Sequence, residues 1–140
     1  MSNTIKEFPY SPEQLAWLHD LETTSATQGI GYLHKDDAFC CLGRACVTLG
    51  IPAELGRYAR EGIVTYGNQE SILPYKAMYK LRLRDDTGTF EHRVILDNRM
   101  AYSLVGLNDA HNYTFKQIAA YIQSDPTNVF TNLDAPEVSP

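Results

Sequence analysis

A chain of 140 residues, 44% hydrophobic and 21% charged, has the size and composition of one folded domain, which excludes a chain disordered throughout. Its formal net charge of −5 repels nucleic acid at long range and excludes a general electrostatic case for binding DNA or RNA polymers. No stretch approaches the roughly 18 apolar residues of a membrane span, and the first residues hold no signal-peptide core, so the expected place is the cytoplasm, with no membrane partner.

Residues 1–10 read as an N-terminal arm. Ser11, Pro12, Glu13 and Gln14 combine a capping hydroxyl, a proline at the first helical position and a glutamine able to bond back to the cap, which predicts a helix from about 12 to 26. Leu15, Leu18 and Leu21, with Ala16 and Trp17 at the margin, provide its apolar stripe. GIGYLH (29–34) reads as a short strand, and Lys35, Asp36 and Asp37 as a turn leading into AFCCLGRACVTLG. There Leu42, Ala45, Cys46 and Leu49 recur at helical spacing until Gly50 and Pro52 stop the helix. Residues 53–75 are the least legible part, with a short helix expected from 53 to 62 and a strand at IVTYG.

In YKLRLR, Tyr79, Leu81 and Leu83 alternate with Lys80, Arg82 and Arg84, which predicts a strand with one buried and one basic face. DDTG then turns the chain, and TFEHRVIL returns as the second strand of an antiparallel hairpin. NRMAYSLVGL suits a short helix, LNDAHNY a polar loop, and Thr114 with Gln117 a second capping box that opens FKQIAAYIQ, ended by Asp125 and Pro126. The expected fold is therefore a single α+β domain over 11–130, an antiparallel hairpin or sheet packed against three to four short helices, followed by a mobile tail over 131–140.

FCCLGRAC and LNDAHNYTFKQIAAYIQ, the latter followed by Asp125, Pro126, Val129 and Phe130, together are similar to a group of small uncharacterised proteins encoded by tailed phages and prophages. The group shares a CCLG element with a third cysteine nearby and an LND loop leading into an SF or TF helix. The resemblance covers about a third of the residues and implies a phage setting, with action inside the host cell. It assigns no catalytic residue, and the charged central hairpin departs from it.

Chemistry is read residue by residue. Cys40, Cys41 and Cys46 are odd in number and contain no Cys-x-x-Cys pair, so they read as reduced core residues rather than as disulfides or metal ligands. His19, His34, His92 and His111 are scattered, and no nucleophile elbow is present; no catalytic residue, metal or cofactor is expected. Positive charge gathers at Lys76, Lys80, Arg82, Arg84, Arg93 and Arg99. Guanidinium groups grip phosphates and flat rings stack on bases, so Arg82, Arg84 and Arg93 with Tyr79 form one candidate site for a nucleotide-like anion. Asn108, Asp109 and His111 form a second candidate, and the same residues also suit turn formation before Thr114.

Three functions fit. The leading one is a non-enzymatic binding protein that sequesters a small anionic nucleotide-like ligand, such as a signal of antiviral defence. The others are an adaptor that inhibits a host protein and a nucleotide-processing hydrolase. Nine tyrosines and five phenylalanines also fit an assembly interface, so a homo-oligomer is a further expectation.

Overall fold

The computed structural model describes residues 8–55 and 61–132. The expected tail at 133–140 and the centre of the helix expected from residue 53 lie outside the described residues. Helix α1 (Pro12–Thr23) starts as its sequence predicts, with Ser11 Oγ accepting from the Gln14 N–H and Gln14 Oε1 accepting from the Ser11 N–H. It ends three residues earlier than expected, at the propensity-poor Thr23, Thr24, Ser25 run.

Strands β1 (Thr27–Gln28), β2 (His34–Lys35) and β3 (Ala38–Phe39) form a small mixed sheet in the order β1-β3-β2. The chain then enters helix α2 (Cys41–Thr48), where Cys40 serves as the cap: its Sγ accepts from the Gly43 N–H at 3.4 Å. Gly43 is needed because the helix lies against the backbone of Leu33, and a Cβ at this position would run into the Leu33 carbonyl. Strands β4 (Ala53–Glu54) and β5 (Thr65–Tyr66) pair antiparallel, so the expected helix does not begin at Ala53.

The main departures come next. Residues 75–81 form helix α3 (Tyr75–Leu81), not a strand. Pro74 starts it, Leu73, Ala77 and Leu81 turn inward at intervals of four, and Arg82 ends it in the left-handed conformation at φ 60°. The alternation across Tyr79 to Arg84 is a helix end running into a turn.

The hairpin instead joins β6 (Thr89–Leu96) to β7 (Arg99–Ser103), in register Leu96↔Arg99 and Ile95↔Met100. Its two-residue turn, Asp97 and Asn98, has positive φ at both positions, as the primed hairpin turns require. The helix expected across 98–107 is thereby shortened to α4 (Leu104–Asp109), capped by Ser103 Oγ. Helix α5 (Phe115–Ser124) carries the predicted Thr114/Gln117 capping box, and Pro126 opens one further turn, α6 (Pro126–Val129).

One core joins these elements. α1 packs on α2, α3 and α5, enclosing Trp17, Leu21, Leu42, Leu81, Leu104, Leu107, Ile118, Ile122 and Phe130. Complete burial of each such side chain contributes roughly 1.5–3 kcal/mol. The two ends of the described chain are tied together. Buried Gln14 exchanges amide hydrogen bonds with Asn132 at 2.9 and 3.0 Å, and Asn132 Nδ2 also donates to the Pro9 carbonyl at 2.9 Å. Phe8 and Tyr10 pack on Phe130, so packed residues reach beyond both limits expected for the domain.

Candidate functional site

The two motifs that carry the phage resemblance meet in space. Asn108 Oδ1 accepts from the Cys41 N–H at 3.1 Å and from Gln28 Nε2 at 2.7 Å, while its Nδ2 donates to the Gly29 carbonyl and to Asp109 Oδ1, each at 2.8 Å. Asn108 is 1% exposed, and both ends of its amide are engaged by the protein. Asp109 Oδ2 accepts from the Gly31 N–H. The CCLG and LND segments thus form an internal clip holding the β1 strand against α2 and α4.

His111 stands apart from them, its Nε2 3.2 Å from the Met100 carbonyl and its Nδ1 buried without a hydrogen-bond partner. The expected grouping of Asn108, Asp109 and His111 around one ligand is corrected accordingly: the first two spend their polar atoms on the fold.

The cysteines of the first motif are buried. Burial pushes the Cys40 thiol up to about 11 and the Cys46 thiol up to about 12, and raises Cys41 well above its ordinary value. They are protonated near neutral pH and poor nucleophiles. Among the described residues, no group of three or more His, Cys, Asp or Glu side chains is placed to hold a metal ion.

The arginines expected on one basic hairpin face fall on different parts of the chain, because the first of its two strands does not form. Arg84 is a structural cap. Its guanidinium donates to the carbonyls of Thr127, Asn128 and Phe130 at the end of α6 and pairs with Glu91 at 2.6 Å. These are the carbonyls a helix end leaves without intrahelical partners. Arg93 lies exposed on β6.

Tyr79 and Arg82, by contrast, are brought together. They line a groove of about 480 Å³ with Ser11, Glu13, Met78, Lys80, Leu83 and Thr131. A smaller groove of about 250 Å³ adjoins it through Glu13 and Lys80 and reaches Thr48 and Leu49 at the end of α2. Along the exposed face of α3, Tyr75 and Tyr79 are 73% and 70% exposed and stack at 6.1 Å with 25° between their planes. Lys76 and Lys80 repeat at the same spacing of four.

Among the described residues the ion pairs are Arg44–Asp20 and Arg84–Glu91. Lys76, Lys80 and Arg82 have no carboxylate partner among the described residues. Lys80 and Glu13 were not singled out as site residues by sequence reasoning. The signal for the first was the repeat of Tyr-Lys at 75–76 and 79–80, one helical turn apart, which a strand assignment hides.

Arg82 has a further peculiarity. Seven described non-glycine residues have positive φ: Asp36, Asp37, Asn68, Asp97, Asn98, Asn112 and Arg82. Asn and Asp tolerate this region because their short side chains bond locally, whereas at Arg82 the conformation closes α3, with the Arg82 N–H donating to the Tyr79 carbonyl.

Comparison of the chain with protein-family models, with curated proteins and with solved structures finds no match.

Proposed function

We propose that this chain is a phage-encoded, non-enzymatic binding protein that captures a small anionic, nucleotide-like ligand in the groove beside α3. The observation that carries the reading is Arg82, which lines the groove beside Lys80 and has no ion-pair partner among the described residues. Lys80 adds a second cation, and Tyr79 an exposed ring on which a base can stack. The raised cysteine pKa values argue against a cysteine nucleophile. The phage setting rests on the two motifs.

Calorimetry at moderate salt with guanosine diphosphate, adenosine diphosphate and orthophosphate tests the proposal. At least one nucleotide should bind, and Arg82→Ala should weaken it by about 1.5–3 kcal/mol, the value of a charge-assisted bond. Undiminished binding in the Arg82→Ala, Lys80→Ala double variant sinks it.

A second reading, a protein partner or a second copy of the chain, is favoured by the hairpin, where Ile95 lies across from Met100 and both are exposed beside Tyr102. Sedimentation and pulldown with Ile95→Lys decide that reading: a partner or dimer that survives the substitution rejects it.

A further inference from the structure

We infer that the α3 groove selects among nucleobases and that Glu13 is its specificity-determining residue, favouring guanine-type ligands; this rests on the nucleotide-binding reading above. Glu13 sits in the first turn of α1 and lines both the larger groove, with Lys80 and Arg82, and the adjoining smaller one. No cation lies in ion-pair contact with it among the described residues.

A carboxylate in a groove that also carries Lys80 and Arg82 works against a ligand that is only an anion, because like charges repel. It is favourable where the ligand also offers hydrogen-bond donors, since an ionised carboxylate is acceptor-only and its two oxygens take two parallel N–H groups. Among nucleobases, guanine presents N1–H beside its N2 amino group, a matched pair. Adenine and cytosine each set an amino donor beside a bare ring nitrogen, which would face a carboxylate oxygen acceptor to acceptor. Uracil flanks its single N3–H with two carbonyls. The division of labour is then Lys80 and Arg82 for phosphate, Tyr79 for the base face and Glu13 for the base edge.

Glu13 also suits the positive end of α1, so the test must read selectivity rather than affinity or stability alone. Calorimetry on the full chain should show guanosine diphosphate preferred over adenosine diphosphate by about tenfold or more, the discrimination of a bidentate pair. Glu13→Gln should collapse that ratio to within about threefold, mainly by weakening the guanosine nucleotide. Glu13→Asp keeps the charge and shortens the reach, and it should lower the ratio as well, which covers the case in which the glutamine variant folds poorly. Equal affinity for the two nucleotides, or a ratio unmoved in both variants, overturns the inference and leaves the anion-binding reading standing. Binding of neither nucleotide overturns the reading beneath it and the inference with it.

Discussion

The clip at Asn108 and the exposed face of α3 are opposite kinds of polar surface. Asn108 donates to two oxygens and accepts from two N–H groups, and almost none of it reaches solvent. Lys80 and Arg82 lie at a groove and have no ion-pair partner among the described residues, and Tyr79 shows most of its surface beside them. The difference separates what makes a motif recognisable from what leaves a residue available. CCLG and LND stand out because the fold needs each of their residues: a glycine where helix meets backbone, an amide where three segments converge. That same need consumes their bonding capacity. Residues able to meet a ligand are those whose capacity the fold does not use.

The largest expected effect lies at Asn108. Asn108→Ala removes four hydrogen bonds and leaves the Cys41 N–H and the Gly29 carbonyl without partners in a buried setting, so stability should fall by about 3 kcal/mol. Thermal denaturation should show a Tm lower by about 10 °C. A change under 2 °C would mean that the clip carries no stability and that its polar groups are free for other use.

Arg84 and Arg82, two residues apart, sharpen the contrast. Arg84→Ala strips the end of α6 of its donor and should cost about 1–2 kcal/mol in urea denaturation while leaving nucleotide affinity unchanged. Arg82→Gly should do the reverse. Glycine removes the penalty of positive φ but loosens the unfolded chain, so stability should hold or rise by up to about 1 kcal/mol. Affinity should drop about tenfold or more. Equal losses of stability in the two variants would remove the distinction between cap and ligand arginine.

The smallest effect expected lies in the cluster behind α2. His34 stacks on Phe39 at 4.0 Å, its Nδ1 is 2.9 Å from the Tyr66 hydroxyl, and the Arg44 guanidinium lies over the other ring at 4.8 Å. Burial lowers the His34 pKa below its ordinary 6.5, Asp37 opposes the shift and Arg44 reinforces it. The unfolded chain therefore takes up the proton first on acidification. The contribution of neutral His34 is complete above about pH 6.5 and is lost as pH falls through the lower folded value. Urea midpoints should decline slightly from pH 7 to pH 5, and His34→Gln should flatten that part of the decline. A midpoint that rises on acidification would contradict the assigned direction.

Much of the helical framework was legible, because capping boxes act through immediate neighbours. Ser11 with Gln14 and Thr114 with Gln117 each form both reciprocal bonds. The candidate site was not, for a related reason. Six residues from Tyr79 to Arg84 satisfy period two equally well as a strand or as a helix end followed by a left-handed turn, and the deciding residue, Pro74, lies just upstream. Asp97 and Asn98 likewise carried a hairpin-turn signal that assigning helix to the following segment suppressed. Tyr79 and Arg82 were selected for their chemistry and remain together. Arg84 and Arg93 were grouped with them only by the false strand, and packing separates them.

The amide exchange between Gln14 and Asn132 has a practical consequence for any binding measurement. Ser11 and Thr131, next to the tied residues, both line the α3 groove, so the exchange also ties down two residues of the groove wall. A variant that breaks it, such as Asn132→Ala, would loosen that wall together with the core, and its titrations would register weaker binding even though no residue of the groove had changed.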